Sequence, residues 1–229
     1  NILLVNNGTE AIMLALKALG VKDNIVSSPF TFAATTSAPI WNGNTVMYAD
    51  IDPDTFNLDV QKVSELGFEI DVGAILPVHV FGVPCEVDNF ERNGRELNCP
   101  VIYDAAHAFG VRVNGESILM KGDMSVLSFH ATKIFHTVEG GAIVFSDSSL
   151  LSEVQKMINF GYGADGNISA VGINYKMSEI HAAYGHAVLD EIDDIFSQRK
   201  RIYEHYYKRL SSKVLFQKLD ETVEWNYSY

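Results

Sequence analysis

The chain has 229 residues, of which 47% are hydrophobic and 20% charged. That suffices for one large α/β domain with part of another, and it rules out a disordered chain. Seventeen Lys and Arg against 29 Asp and Glu leave a net charge of −12, which argues against nucleic acid or an anionic membrane as the main partner, because phosphate surfaces call for a basic face. Cys85 and Cys99 are the only cysteines and make no disulfide framework. No apolar run approaches the roughly 18–20 residues that span a bilayer. The expectation is a soluble, cytoplasmic, enzyme-sized protein. It opens at Asn1 directly in a strand-like run and closes in the β-prone stretch Thr222–Tyr229, which reads as a fragment of a longer protein.

Seven strands are predicted, at Ile2–Val5, Asn24–Ser28, Thr45–Asp50, Gly73–Val80, Val101–Ala105, Met124–His130 and Gly141–Ser146. Several are apolar on nearly every residue, as expected for strands covered on both faces. Helices are predicted at Glu10–Leu19, where Ile12, Leu16 and Leu19 share a face, at Asp59–Leu66 and at Val87–Leu97. Strand–helix alternation of this kind makes an α/β fold with a mainly parallel, doubly wound sheet. After Ser146 come a helix over Leu150–Ile158 and a loop rich in glycine, ending at Gly172. Ser178 then caps a long helix running to about Leu210, roughly 45–50 Å if unbroken. The predicted large domain covers 1–210, and 211–229 begins a second, truncated domain.

Ligands in open α/β sheets gather at the carboxyl ends of strands, so the polar residues there are the candidates. The first strand runs into Asn6-Asn7-Gly8-Thr9 and a helix, whose first N–H groups and Thr9 hydroxyl can cradle a phosphate; an ordinary strand–helix turn is the other reading. The G-x-G-x-x-G spacing of a dinucleotide site is missing. Asp104 ends an apolar strand, with His107 three residues on. A carboxylate there calls for a cation: a Lys or Arg, a protonated ring nitrogen of a cofactor, or a metal. The remaining histidines lack ligand spacing, so no metal is expected. Lys133 follows Ser128-Phe129-His130-Ala131-Thr132 at the end of a later strand, a setting that suits Schiff-base chemistry, although a surface lysine is the commoner case. Phosphate cradle, strand-end Asp and strand-end Lys converge on pyridoxal 5′-phosphate (PLP).

Longer runs carry a family resemblance. Asn7-Gly8-Thr9-Glu10-Ala11 resembles the N-G-T-x-A motif of the DegT/DnrJ/EryC1/StrS sugar aminotransferases, and Pro29–Thr35 their P-x-T-F-x-A-T segment. Pro77–Gly82 is similar to their P-V-H strand, Asp104–Ala108 to D-A-A-[HQ]-A, and Ser128–Lys133 to S-F-x-x-T-K. Glu139-Gly140-Gly141 and Asn174–Glu179 complete the order. The resemblance implies the aspartate aminotransferase-like fold (PLP fold type I) with a seven-stranded sheet. It implies transfer of an amino group from L-glutamate, leaving 2-oxoglutarate, to a keto-deoxysugar on a nucleotide, with dTDP the expected carrier. It gives Lys133 the Schiff base and the proton transfer, and Asp104 the pyridine nitrogen. Phe32 stacks on the ring, and His107 lies near the phenolic oxygen. Gly8, Thr9 and Ser128 bind the phosphate, and Asn174 reaches the cofactor of a second subunit in a homodimer with shared sites. A sister branch of sugar dehydratases has His at the lysine position, against Lys133. A non-catalytic regulatory homologue would have no need of Asp104 and Lys133 together. For His79, His130 and Glu139 the expected roles are structural or substrate-proximal, and Tyr175 is expected to be a packing residue.

Overall fold

The computed structural model describes all residues, 1–229. Strand β1 (Ile2–Val5) leads into helix α1 (Gly8–Ala18), which Asn7 caps by accepting from the Glu10 N–H. Next come β2 (Asn24–Ser27), α2 (Ala33–Trp41), β3 (Thr45–Tyr48), α3 (Val60–Gly67) and β4 (Val72–Ile75). Helix α4 (Val87–Glu96), β5 (Ile102–Asp104), a small hairpin of β6 (Arg112–Val113) and β7 (Glu116–Ser117), β8 (Met124–Ser128) and β9 (Gly141–Phe145) follow. The chain continues through α5 (Leu151–Met157), α6 (Glu179–Asp190), α7 (Ile192–Leu210) and β10 (Val223–Glu224).

Two hydrogen-bonded ladders, β1-β9-β8-β5 and β3-β2-β4, meet where Ile75 bridges Val101 and Val78 bridges Asp104, both in parallel. The seven predicted strands thus lie side by side in the order β1-β9-β8-β5-β4-β2-β3. β9 runs antiparallel to both neighbours, and the other pairings are parallel. The mainly parallel seven-stranded sheet expected from the sequence is what forms. Three apolar clusters fill its two sides: one under α1 and α5 around Leu16, Ile102 and Ile143, one around Phe129 and Phe135, and one around Val63, Phe90 and Tyr103. Each fully buried Leu or Ile contributes about 1.5–3 kcal/mol.

Four features depart from the sequence-based expectation. Helix α2 was not foreseen: it carries Pro39, and its N-cap Phe32 offers no capping side chain. The strand expected over Gly73–Val80 ends at Ile75, yet Asp104 N–H donates to the Pro77 carbonyl at 2.9 Å and His79 N–H to the Asp104 carbonyl at 3.1 Å, so the run stays in register. The strand expected to reach His130 stops at Ser128, where the chain turns out and returns on β9 with Ser128 opposite Gly141. The long helix, capped by Ser178 as expected, breaks at Glu191. Asp190, Glu191, Asp193 and Asp194 surround the break. Acidic side chains oppose the dipole at a helix C-terminus and favour it at an N-terminus, so the acidic run suits the start of α7 better than its continuation from α6.

The tail does not lead away from the sheet. β10 pairs with β6, Val223 opposite Val113, and the residues after it return to the loops at the carboxyl ends of β4 and β5.

Candidate active site

Asp104 occupies the last position of β5 and is 5% exposed. The Thr35 hydroxyl donates to its Oδ2 at 2.7 Å and the Ala106 N–H to its Oδ1 at 3.1 Å. Thr31 lies 2.7 Å from Thr35 and, with the Thr35 proton committed to Asp104, is the donor of that pair. Burial pushes the Asp104 carboxyl above the usual carboxylate range, offset in part by Thr35, Ala106 and the charge of Lys133. Asp104 has no ion-pair partner in the chain. A buried carboxylate so placed is set to receive a cation from outside.

Three residues past β5, His107 accepts the Phe81 N–H on Nδ1 at 3.2 Å. Burial and the nearby Lys133 charge push its pKa down to about 4, so the ring is neutral at physiological pH with its proton on Nε2. The Tyr229 ring stands 4.7 Å from the His107 ring, and Lys133 Nζ lies 6.0 Å from the centre of the same Tyr229 ring. Lys133, half-buried, sits in the loop between β8 and β9, its N–H bonded to the His130 carbonyl at 2.9 Å. Asp104, His107 and Lys133 therefore converge at the carboxyl ends of β5 and β8.

Gly8 opens α1 against the end of β8. A Cβ there would stand 2.9 Å from the Ser128 Cβ and 3.4 Å from its hydroxyl, so only glycine lets the helix start approach Ser128 this closely. Gly8 and Thr9 keep N–H groups with no intrahelical acceptor, at the positive end of the helix dipole. Thr9 lines an open groove of about 1000 Å³ with Asn7, Trp41, Tyr175 and Lys176. This cradle, the lone carboxylate and the amine fit the phosphate, ring nitrogen and aldehyde of PLP.

Two expected residues stand apart from that cluster. Phe32 is 75% exposed at the start of α2 and faces a cavity of about 780 Å³ beside Ile40 and Trp41, which adjoins the Thr9 groove along Ser37 and Trp41. Asn174 is exposed in the loop before Ser178, pairing by backbone with Asn159; its neighbours Ile173 and Tyr175 line the groove that holds Thr9. His79 is buried, stacks on Tyr103 at 4.8 Å and is pushed down to about 3 by burial, a structural role. His130 and Glu139 face each other at 3.7 Å, both half-exposed. Sequence reasoning gave no part to Thr35, Phe81, Trp225, Asn226 or Tyr229. Thr35 had a signal, a hydroxyl within Pro29–Thr35 just past a strand end; the tail residues reach the site only through tertiary folding.

A family model described as the DegT/DnrJ/EryC1/StrS aminotransferase family matches residues 1–227. The chain is 42% identical over 207 residues to the dTDP-4-amino-4,6-dideoxy-D-glucose transaminase of Shigella dysenteriae, covering 90% of this chain and 56% of that protein. It is 36% identical to the GDP-perosamine synthase of Caulobacter vibrioides, covering 91% and 58%. Among solved structures, DesI in the presence of its TDP-sugar product superposes with a TM-score of 0.86 at 36% identity, over 92% of this chain and 54% of that one. The 3-amino-5-hydroxybenzoic acid synthase superposes with a TM-score of 0.91 at 26% identity, over 100% and 62%. The chain spans a little over half the length of the curated relatives it matches.

Proposed function

Because the chain belongs to the DegT/DnrJ/EryC1/StrS aminotransferase family, we propose that the protein of which it is part is a PLP-dependent aminotransferase. The amino group passes from L-glutamate to a keto-deoxysugar carried on a nucleotide. The observation that carries this reading is Asp104, a buried carboxylate with no cation of its own, beside the Lys133 amine and the Gly8–Ser128 cradle. The relative most similar among those described acts, by its name, on a dTDP-4-amino-4,6-dideoxy sugar, which favours dTDP as carrier and C4 as the aminated carbon.

Bound PLP supplies an electron-withdrawing ring that stabilises negative charge on the carbon losing its proton. Asp104 keeps a proton on the pyridine nitrogen by pairing its charge with it. Lys133 is the residue that would attach the cofactor, and its amine is the base placed to move a proton at the donor's Cα. His107 offers its Nε2–H to the phenolic oxygen. Gly8, Thr9 and Ser128 would hold the phosphate through N–H and hydroxyl groups; Phe32, exposed beside Ile40 and Trp41, is assigned to the ring by the family resemblance alone. Asn174 of a second subunit completes the phosphate site, which makes the enzyme a homodimer. Residues 1–210 form the PLP-binding domain in this reading, and 211–229 begin a smaller one, although β10 and the residues after it pack back onto the first. No helix is long and apolar enough to cross a membrane, and the cytoplasm is the proposed location.

The test is chemical trapping. Full-length protein incubated with PLP and reduced with borohydride should yield one labelled peptide, bearing the label on Lys133. The same protein should convert L-glutamate and a dTDP-4-keto-6-deoxyhexose to 2-oxoglutarate and a 4-amino sugar. A label on another lysine, or none, overturns the assignment.

A further inference from the structure

His107 owes its setting to a part of the chain far from it in sequence. Its Nδ1 accepts from Phe81 N–H, and Phe81 is in the left-handed backbone region, φ 54° and ψ 22°. A bulky residue adopts that conformation under strain and holds it only where its surroundings enforce it. One restraint is the Trp225 indole, whose Nε1–H donates to the Phe81 carbonyl at 3.0 Å. The loop carrying His107 is held from the same side. Asn226, 3% exposed, donates from Nδ2 to the His107 carbonyl at 2.8 Å and to the Phe109 carbonyl at 2.9 Å.

The Asn226 amide is itself oriented. Its Oδ1 accepts from the Ser228 N–H at 3.1 Å, so Nδ2 must face the two carbonyls. The Arg199 guanidinium donates to the Ser228 carbonyl at 2.8 Å, and the Trp225 ring packs on Tyr203 and Tyr227. Gly82 marks where the parts meet: a Cβ there would lie 2.6 Å from Asn226 Oδ1, 2.8 Å from the His107 carbonyl and 3.2 Å from Trp225 Nε1. The three groups close around a position where no side chain fits.

We propose that Trp225 and Asn226 are positioning residues that hold His107 in one tautomer, Nδ1 accepting from Phe81 and the proton on Nε2. The strap they form ties the 80–82 turn to the 107–109 loop. Without it, the Phe81 N–H is free to turn away and the imidazole loses the bond that selects its proton position. The value of that tautomer to the reaction rests on the reading of His107 given above, but its existence does not.

The experiment therefore reads the ring before any cofactor is added. The full-length protein, labelled with ¹⁵N-histidine and free of PLP, is examined by imidazole nitrogen–proton correlation spectra, with His107 assigned from its loss in His107→Gln. The wild-type ring should show the Nε2–H form alone. Trp225→Phe removes the indole donor and keeps an aromatic ring, and Asn226→Ala removes both carbonyl contacts. Each should bring in the Nδ1–H form of His107 while the other histidines stay unchanged. A single Nε2–H form in both folded variants overturns the proposal. If Asn226→Ala does not fold, Trp225→Phe decides alone. Failure of Lys133 trapping together with a tautomer change in the variants would reject the aminotransferase reading and leave this one standing.

Discussion

The two halves of the candidate site are built differently. Around Asp104 and His107 nearly every polar atom is fixed within the chain: Thr35 and Ala106 on the carboxylate, Phe81 on the imidazole, Asn226 on the carbonyls. Around Thr9 and Phe32 the surface is open, with Phe32 75% and Trp41 82% exposed beside two cavities. Large apolar side chains left in solvent beside a cradle mark a surface that something covers. The closed half is where charge must be controlled, so its environment is set by one chain. The open half is where a second subunit is proposed to contribute.

The sharpest attack on that contrast mixes the two halves. In full-length protein, Lys133→Ala and Asn174→Ala should each be nearly inactive. After subunit exchange, an equal mixture should recover about a quarter of wild-type activity, since half the dimers are hybrids with one intact site each. No recovery after proven exchange would mean that Lys133 and Asn174 do not serve sites shared in this way.

Within the closed half, Asp104→Asn should slow the glutamate half-reaction about 10–150-fold, the worth of a charged hydrogen bond at about 1.5–3 kcal/mol. The fold should survive, because the Thr31–Thr35 hydroxyl chain can reverse to accept from the new amide. Burial raises the native carboxyl, so the charged form opposes folding as pH rises through the unfolded value, and the cofactor-free variant should melt no lower than wild type at neutral pH. A wild-type rate would place control of the ring nitrogen elsewhere.

His79 tests whether the closed half is dry. Its native pKa near 3 lies below the unfolded value of 6.5. Between these the unfolded chain takes a proton that the native ring refuses, and stability falls with pH by up to about 1.4 kcal/mol per unit. His79→Asn keeps an acceptor for the Cys85 N–H, now bonded to Nδ1 at 3.0 Å, and should flatten the acid side of the stability curve. An unchanged slope in urea titrations would show that water reaches the ring. The smallest effect belongs to the open half: Trp41→Lys should alter the stability of the isolated chain by less than about 0.5 kcal/mol yet weaken self-association in sedimentation. A large loss of stability would mean that Trp41 packs within its own chain.

Legibility in the sequence followed the same division. Asp104 was visible because a carboxylate ending an apolar strand contradicts its surroundings, and Gly8 because it opens a helix after a strand. Thr35 was hidden by α2, a helix whose Pro39 and missing cap conceal it from local rules. Trp225 and Asn226 were unreadable for another reason. Their partners lie more than a hundred residues upstream, and a β-prone tail says nothing of where it docks. The break at Glu191 did leave a trace in its acidic run, which the apolar stripe outweighed.

The antiparallel course of β9 has a bearing on how such proteins change. Because Ser128 sits opposite Gly141, residues 129–140 leave and re-enter the sheet at a single rung. The Lys133 loop is thus a cassette whose ends are pinned by neighbouring strands and whose Phe129, Ile134 and Phe135 side chains anchor it in the core. A parallel strand after β8 would have required a crossover helix, and any rebuilding of it would have disturbed the layer above. Here Lys133, half-buried among these anchors, can be exchanged while the strand register carrying the buried carboxylate stays as it is. Reaction type becomes separable from architecture, which makes this loop the place for a designer, or for natural drift, to alter the chemistry first.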